Sequence, residues 1–309
     1  MADPLLRVDG LTRRFGDLTA VDGVSFEVRR GELFGLVGPD GAGKTTTLRM
    51  LAGVLSPTTG DALFDGISMA RDPERAKPRF AYMSQRFGLY ADLTVEENLR
   101  FYADLHLVPR AERPARLERL YRFSNLEPFR GRLAGKLSGG MKQKLGLSCA
   151  LIHQPELLLL DEPTFGVDPV SRRDLWLIVH ERVEQGVTAV VSTAYMDEAE
   201  RFDRLALLHQ GKVLAVDTPA ALQASLPGEI LEIRTDRVRE AREAASRLPG
   251  VRRAAIFGDR LHLTVPSAAD APGVEAALRQ AGFEPREARP IPPTLEDVFI
   301  ERIAAAEAA

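Results

Sequence analysis

Gly38-Pro39-Asp40-Gly41-Ala42-Gly43-Lys44-Thr45 is the stretch of sequence that decides the fold of this chain. It follows a short apolar segment, Leu33 to Val37, and leads into a helical pattern that ends near Leu51. A glycine-rich loop between a strand and a helix lets backbone N–H groups converge on phosphate oxygens, and the helix N-terminus adds positive potential. We therefore expect Lys44 to hold the β- and γ-phosphates of a nucleotide and Thr45 to bind Mg²⁺. A chance glycine-rich turn is the alternative for this loop taken alone.

Two adjacent carboxylates follow a second apolar segment. Leu157-Leu158-Leu159-Leu160 reads as a buried strand, and it ends at Asp161 and Glu162. Ligands of open α/β sheets bind at the carboxyl ends of the strands. We therefore expect Asp161 to hold Mg²⁺ and Glu162 to polarise the water that attacks the nucleotide. An acidic turn after a core strand is the plainer alternative for this segment alone.

A serine followed by two glycines forms the third motif. Leu137-Ser138-Gly139-Gly140-Met141-Lys142-Gln143 places Ser138 23 residues before Asp161 (161 − 138 = 23). At a helix N-terminus, the serine hydroxyl, the backbone N–H groups and the helix dipole form a second anion site. With these three motifs in this order, residues 1 to about 225 resemble the ATP-binding cassettes of ABC transporters. The resemblance implies ATP and Mg²⁺ as cofactors, and it implies that Ser138, Gly139 and Gly140 complete the ATP site of an opposing cassette.

The resemblance assigns roles to three further residues. Phe15, in Arg14-Phe15-Gly16, matches the aromatic residue that stacks on adenine, although it lacks the hydroxyl of the usual tyrosine. Gln85 matches the glutamine that touches Mg²⁺ and water, and Asp168 matches the loop that crosses the dimer interface. Taken alone, the three could be a hairpin aromatic, a surface glutamine and a helix cap. Within the phosphate-binding loop, the resemblance assigns nucleotide contacts to Gly38, Asp40 (where asparagine is usual), Gly41, Ala42, Gly43, Lys44, Thr45 and Thr46.

One residue of the family's pattern is missing. In the family, a histidine after the last core strand contacts the γ-phosphate, and this chain has Ala194 at that place. Alanine offers neither a hydrogen-bond donor nor a charge to the transferred phosphoryl group. We expect slow hydrolysis at this chain's own site and faster turnover at the second site of a heterodimer with a histidine-containing partner. The alternative is that Tyr195 or a water molecule compensates.

The patterning along the chain predicts two domains. Residues 1–225 should form an α/β nucleotide-binding domain of the P-loop NTPase class. It would have an antiparallel β-subdomain over about 5–35, a parallel-sheet core and a helical subdomain over about 87–150. Residues 226–309 have the order βαββαβ, which predicts an α+β ferredoxin-like accessory domain. Its last strand is predicted at Glu284 to Ala288, and a terminal helix at Thr294 to about Ala306.

Two segments resemble a narrower branch of the family. Ser192 to Glu200 and Pro293 to Phe299 are similar to ATP-binding subunits of ABC-2 type exporters, the daunorubicin-resistance-like multidrug group, and above all to the first cassette of tandem-cassette subunits. This resemblance implies export of a drug or other hydrophobic compound. Its implied partners are an ABC-2 type permease and a second cassette, in a homodimer or a heterodimer. Motion would pass to the permease through a groove near residues 86–90. An ATPase acting on ribosomes or DNA and an ATP-gated regulatory clamp remain the alternatives.

Composition narrows the choice of partner and compartment. The 309 residues include 41 basic and 44 acidic side chains, and the net charge of −3 gives no electrostatic argument for a nucleic-acid partner. The single cysteine, Cys149, excludes an intramolecular disulfide and fits a reducing cytoplasm. The sequence has neither a secretory signal nor an apolar run long enough to span a membrane. We therefore expect a soluble cytoplasmic protein that is peripheral on the inner face of the cell membrane through its permease.

Overall fold

The computed structural model describes residues 3–85, 88–286 and 288–307, and the chain divides into two compact units, Met1–Val216 and Asp217–Ala309. The strands of the first unit are β1 (Leu6–Phe15), β2 (Leu18–Val28), β3 (Leu33–Val37), β4 (Thr59–Phe64), β5 (Ile67–Ser68), β6 (Phe80–Met83), β7 (Leu157–Asp161), β8 (Thr188–Thr193), β9 (Arg204–His209) and β10 (Lys212–Asp217). Its helices are α1 (Lys44–Leu51), α2 (Pro73–Ala76), α3 (Val95–Leu105), α4 (Arg113–Ser124), α5 (Gly139–Leu151), α6 (Pro169–Glu184) and α7 (Met196–Ala199).

The central sheet of the first unit has the strand order β10-β9-β3-β8-β7-β6. Every residue of β3, β7 and β8 is buried, as is typical of parallel strands that are covered on both faces. β3 pairs in parallel with β8 and β9, and β7 pairs in parallel with β6 and β8. The carboxyl ends of these strands therefore meet at one edge, where the phosphate-binding loop, Asp161 and Ala194 all lie.

A smaller antiparallel sheet, of strand order β2-β1-β4-β5, packs on this core. The ring of Phe26 on β2 stacks on that of Phe34 on β3, with 5.1 Å between centroids. Side chains of both sheets share one hydrophobic cluster, which includes Val8, Leu48 and Leu159. The structure extends the predicted β-subdomain beyond residue 35, because β4 and β5 belong to the same sheet.

The helical part of the first unit begins with a capping box, as the sequence predicts. Thr94 Oγ1 accepts a hydrogen bond from Glu97 N at 3.2 Å, and Glu97 Oε2 accepts one from Thr94 N at 2.8 Å. Reciprocal bonds of this kind satisfy two donors that the first turn of a helix leaves unpaired. Helix α4 packs against α5 and α6, and so joins the helical part to the core.

The second unit contains α8 (Pro219–Ala224), β11 (Glu229–Arg234), α9 (Val238–Ala245), β12 (Arg253–Phe257), β13 (Arg260–Val265), α10 (Ala271–Gln280), β14 (Arg289–Ile291) and α11 (Leu295–Glu307). Its antiparallel sheet has the order β12-β13-β11-β14. The helices α9 and α10 fall between strands as a ferredoxin-like fold requires. The predicted fold class is thereby confirmed for both parts of the chain.

Two details of the sequence prediction differ from the structure. The strand predicted at Glu284 to Ala288 is wrong, because the last strand is Arg289–Ile291. Its Pro290 lies opposite Leu231 on an edge strand, where a residue without an N–H donor is tolerated. The division between units falls after Val216 rather than residue 225, because α8 packs against α11. Within the described ranges, no helix is both long and apolar enough to cross a bilayer.

Candidate functional site

The phosphate-binding loop curls around its own lysine. Gly43 has φ +99°, and a Cβ there would lie 2.6 Å from the carbonyl oxygen of Ala20, so only glycine fits. The side chain of Lys44 is 4% exposed, and its Nζ donates to the carbonyl oxygens of Gly38 at 2.8 Å and Pro39 at 3.0 Å. The amine therefore lies inside the loop, at the N-terminus of α1.

A hydroxyl and a carboxylate meet beside this loop. Thr45 Oγ1 donates to Asp161 Oδ1 at 2.9 Å, and Ser192 Oγ donates to the same oxygen at 2.7 Å. The register of β7 and β8 pairs Asp161 with Ser192, which explains how the second hydroxyl comes to lie here. Hydroxyl and carboxylate oxygens are ligands that Mg²⁺ prefers, so Thr45 and Asp161 fit this ion.

The rest of a magnesium shell would come from the nucleotide and water. Among the described residues, no three His, Cys, Asp or Glu side chains are grouped so that they could hold a metal ion. Mg²⁺ usually binds proteins through one or two carboxylates together with substrate phosphates. When bound, it would neutralise phosphate charge. Tyr82 OH lies 3.5 Å from Asp161 Oδ2, and burial together with the charge of Asp161 raises the pKa of Tyr82 to about 12, so this phenol stays neutral.

Glu162 is held between a cation and an amide. Its Oε1 lies 3.1 Å from Lys44 Nζ, and its Oε2 accepts a hydrogen bond from Gln85 Nε2 at 3.1 Å. The backbone of Glu162 has φ +48°, a left-handed conformation that is costly for a residue with a side chain, and its N–H donates to Ser192 Oγ at 3.0 Å. The strained backbone and these three partners fix the carboxylate at the edge of the sheet.

One cavity of about 670 Å³ brings most of the sequence-predicted residues together. Phe15, on its outer wall, is 46% exposed, and the guanidinium of Arg13 lies 4.6 Å from its ring centroid. Asp40 is exposed, so its charge faces solvent rather than the buried part of the site. Gly38 and Asp161 adjoin the cavity through their hydrogen bonds to Lys44 and Thr45. The predicted residues that line it are Phe15, Asp40, Gly41, Ala42, Gly43, Lys44, Thr45, Thr46, Gln85 and Glu162.

The serine and glycine motif forms a separate group. Ser138 Oγ caps α5 by accepting from Met141 N at 3.3 Å. Asp168 Oδ1 caps α6 by accepting from Ser171 N at 2.9 Å, and the hydrogen bonds from Ser171 lower the pKa of Asp168. A Cβ on Gly140 would lie 2.3 Å from Ser171 Oγ, so the first turns of α5 and α6 are in close contact. Of the described residues, Ser138, Gly139, Gly140 and Asp168 are not among those that line the cavity at the phosphate-binding loop.

Ala194 follows β8 at the same edge of the sheet as the phosphate-binding loop. The residue before it, Thr193, accepts a hydrogen bond from Gly38 N at 3.3 Å, and its hydroxyl donates to the buried Glu198 at 2.7 Å. The guanidinium carbon of Arg172 lies over the face of the Tyr195 ring, 4.5 Å from the ring centroid. The alanine therefore follows a residue that is hydrogen-bonded to Gly38, at the start of the phosphate-binding loop, while Tyr195 stacks on Arg172 of α6.

Sequence reasoning missed several residues of the site. Ser192 and Tyr82 reach Asp161 only through the pairing of neighbouring parallel strands, so the alignment of β6, β7 and β8 was the signal that could have found them. Phe165 lines the cavity four residues after Asp161, and Gln210 does so from the turn between β9 and β10. Leu18, Thr19 and Ala20 line it as well.

Two family models match the chain. The model described as "ABC transporter" matches residues 21–165, which include the phosphate-binding loop and Glu162. The model described as "ATP-binding protein DrrA1-3-like, C-terminal domain" matches residues 218–303.

Full-length relatives extend the similarity over almost the whole chain. The probable multidrug ABC transporter ATP-binding protein YbhF of Escherichia coli (strain K12) is 41% identical over 99% of this chain, which spans about half (53%) of that relative's length. Nod factor export ATP-binding protein I of Paraburkholderia xenovorans (strain LB400) is 38% identical over 97% of each chain. Daunorubicin resistance ATP-binding protein DrrA3 of Streptomyces coeruleorubidus is 33% identical over 97% of this chain and 96% of its own.

Solved structures resemble the first unit. A structure of an ATP-binding subunit of an ABC transporter is 34% identical, with a TM-score of 0.66 over 71% of this chain and 92% of the other. A dimeric bacterial ABC transporter cassette is 24% identical, with a TM-score of 0.63 over 69% of this chain and 98% of its own, and at this identity the likeness concerns the fold alone.

Proposed function

The chain belongs to the ATP-binding proteins of ABC transporters, in the branch with a DrrA-like C-terminal domain, and from this membership we propose that it binds and hydrolyses Mg·ATP to power export through a membrane permease. The observation that carries the proposal is the cluster at the edge of the central sheet. Thr45 donates to Asp161 there at 2.9 Å, and Lys44 Nζ lies 3.1 Å from Glu162 Oε1.

The residues of this cluster divide the chemistry between them. Lys44 and the backbone N–H groups of the loop would bind the β- and γ-phosphates, and Thr45 and Asp161 would hold Mg²⁺. Glu162 would accept a proton from the attacking water, and Gln85 would orient both the water and the Glu162 carboxylate. Phe15, at the mouth of the cavity, would stack on adenine.

A second cassette would complete the site. Ser138, Gly139 and Gly140 form a helix N-terminus capable of binding an anion, and they lie apart from the cavity that contains Lys44. We infer that they contact ATP held by a partner cassette, and that Asp168 lies at the dimer interface. ATP between the two cassettes would draw them together, and hydrolysis would release them.

Ala194 would make this chain's own site slow. No side chain at this position can donate to the γ-phosphate, and the loss of one donor of this kind typically reduces a rate about 100- to 1000-fold. The stacking of Tyr195 on Arg172 argues against compensation by the tyrosine. A heterodimer with a histidine-containing cassette would hydrolyse faster at its other site, to which this chain contributes Ser138.

Gln85 would connect the nucleotide to the permease. It lines both the nucleotide cavity and a neighbouring cavity of about 280 Å³, which also contains Leu89 and Lys142. A residue between the two cavities can transmit a change in one to the other. The groove expected near residues 86–90 includes Arg86 and Phe87, which lie outside the described residues, whereas Leu89 lines the second cavity.

The names of the relatives suggest which class of compound is transported. YbhF is named as a probable multidrug protein and DrrA3 as a daunorubicin resistance protein, so we propose a drug or another hydrophobic compound as the cargo. The permease would be of the ABC-2 type, and the chain would bind it at the cytoplasmic face of the membrane. No nucleic-acid partner is proposed.

Co-purification tests the proposal directly. The full chain, tagged and expressed in its native cell, should pull down an integral membrane protein from detergent extract. It should also bind ATP with an affinity that falls at least about tenfold in Lys44→Ala, because charge-assisted bonds to phosphate are lost. The exposed Lys77→Ala is the matched control. Association with ribosomes or DNA, and with no membrane protein, would contradict the proposal.

A further inference from the structure

Phe15 borders the nucleotide cavity with a side chain that has no polar group. The ring is 46% exposed, and it lines the cavity together with Leu18 and Thr19. Phenylalanine has no hydroxyl through which a hydrogen bond could fix the orientation of the ring. A side chain that becomes ordered only when a ligand binds loses conformational entropy at that moment, and this loss weakens binding. The strength with which a base stacks on Phe15 therefore depends on what holds the ring in place.

Arg13 lies against this ring. Its guanidinium carbon is over the ring of Phe15, 4.6 Å from the centroid. The two residues are two positions apart on β1, and side chains at this spacing point to the same face of a sheet. A guanidinium over an aromatic face is attracted to the ring electrostatically. Of the described residues, Arg13 is not among those that line the nucleotide cavity, so it contacts Phe15 from outside the cavity wall.

The guanidinium is itself held by the backbone. Arg13 Nη1 donates to the carbonyl oxygen of Ser56 at 2.8 Å. Ser56 belongs to the segment between α1 and β4, and the same segment binds the end of β1 again, because the N–H of Arg14 donates to Thr58 Oγ1 at 3.0 Å. Helix α1 begins at Lys44, so this segment continues the helix that follows the phosphate-binding loop. Arg13 is therefore a fixed support for the ring, tied to the part of the chain that binds phosphate.

We propose that Arg13 is a positioning residue for the nucleobase: its guanidinium holds one face of Phe15, and the opposite face receives adenine. The inference rests on the proposed function, because it requires the cavity to bind an adenine nucleotide. Arg13 contacts neither the base nor the phosphates. A ring that is ordered before binding loses less entropy when a base stacks on it. Arg13 therefore strengthens the binding of a nucleotide and does not affect the binding of its phosphate groups alone.

Isothermal titration calorimetry of the full chain with Mg·ADP and, separately, with magnesium pyrophosphate tests this inference. ADP carries the base and is not hydrolysed, whereas pyrophosphate keeps only the phosphate contacts. The wild type is compared with Arg13→Met, which keeps an unbranched side chain but no charge, with Phe15→Ala, and with the variant that combines both changes. Arg14→Met, at the exposed neighbouring position of β1, is the control.

We expect Arg13→Met to weaken Mg·ADP binding by about two- to fivefold, which is the strength of an exposed cation–π contact. Pyrophosphate should bind Arg13→Met as tightly as the wild type, and Arg14→Met should bind both ligands normally. Phe15→Ala should weaken Mg·ADP binding by about fivefold or more, because the stacking of the base is lost. Adding Arg13→Met to Phe15→Ala should cause no further loss, since Arg13 acts only through the ring.

Four results would overturn the inference. The first is an equal loss of ADP and pyrophosphate affinity in Arg13→Met, since Arg13 would then support the phosphate-binding loop. The second is a further loss in the double variant relative to Phe15→Ala. The third is unchanged ADP binding in Arg13→Met. The fourth is tighter ADP binding in that variant, because the guanidinium would then occupy the face that the base needs.

The same measurements separate this inference from the proposed function. A wild type that binds no Mg·ADP would contradict the proposed function, and a Phe15→Ala variant that binds it normally would contradict the stacking of adenine on Phe15. A loss of affinity in Phe15→Ala with none in Arg13→Met would contradict the role of Arg13 alone. If Arg13→Met does not fold, Arg13→Gln decides, because glutamine keeps an N–H donor for Ser56 but has no charge. It too must lose affinity for Mg·ADP and not for pyrophosphate.

Discussion

Lys44 Nζ lies 3.1 Å from Glu162 Oε1, and both side chains are buried. The same amine donates to the carbonyl oxygens of Gly38 and Pro39, so all three of its protons face protein oxygens. A nucleotide phosphate must therefore take the place of at least one of these partners. Glu162 is the partner whose charge opposes the phosphate.

Glu162→Gln should make the ATP-bound state accumulate. The amide cannot accept a proton from water, so turnover should fall about 100-fold or more, while the repulsion between carboxylate and γ-phosphate disappears. Phosphate release should report the first effect, and size-exclusion chromatography with Mg·ATP should report a dimer. Glu118→Gln, on the exposed face of α4, is the control. A variant that stays monomeric with ATP would count against Glu162 as the base.

Ala194→His should raise the rate of hydrolysis by the chain alone. The imidazole would follow β8 next to the phosphate-binding loop, and a donor aimed at developing phosphoryl charge is typically worth about 100- to 1000-fold in rate. Single-turnover phosphate release from the isolated chain measures the effect. Ala194→Ser adds a hydroxyl but no imidazole. It therefore shows whether a gain in rate requires the imidazole or follows from any polar side chain at this position. Equal rates for the wild type and the histidine variant would rule out the slow-site proposal.

Ser192→Ala should impair hydrolysis more than nucleotide binding. The serine hydroxyl donates to Asp161 and accepts from the backbone N–H of Glu162, so its loss loosens both carboxylates while leaving Lys44 in place. Leaving buried groups unsatisfied should also lower the free energy of unfolding by about 1–3 kcal/mol. ATP affinity, turnover and urea unfolding should be measured on the same variant. Ser148→Ala, which removes a buried hydroxyl from α5, is the control. An equal loss of turnover in Ser148→Ala would show that Ser192 has no specific role in hydrolysis.

Asp297→Asn should change how the second unit responds to acid. Burial raises the pKa of Asp297, but hydrogen bonds from His262 and Thr294 outweigh that effect, and the pKa is lowered. Because the folded pKa is depressed, the stabilisation is present above the unfolded value of about 4 and is lost as pH falls through the folded value.

The difference in unfolding free energy between wild type and Asp297→Asn should therefore be constant near neutral pH and shrink below about pH 4. Urea unfolding of the full chain at a series of pH values measures it. Asp259→Asn, at an exposed turn, should leave the profile unchanged. A difference that does not vary with pH would show that the Asp297 carboxylate does not supply the acid-sensitive stabilisation.

The features that could be predicted from the sequence are those encoded in one short, continuous stretch of residues. The loop around Lys44, the strand ending at Asp161 and the capping box at Thr94 each contain their own evidence within a few residues. Ser192 could not be found in this way. It lies 31 residues after Asp161 in the chain, and the two residues meet only because β7 and β8 are aligned in the sheet. The strand at Arg289–Ile291 was missed because proline normally indicates a loop, and only its edge position makes Pro290 acceptable.

Gly140 has no room for a side chain, because Ser171 Oγ and Asp168 Oδ2 occupy the space where its Cβ would point. The first turns of α5 and α6 therefore pack tightly against each other and form one rigid unit. A shift of Ser138 toward a second cassette must carry the Asp168 turn with it. In the dimer proposed above, the two nucleotide sites would therefore be mechanically coupled, because a movement of α5 toward one ATP would also move the Asp168 turn at the proposed interface.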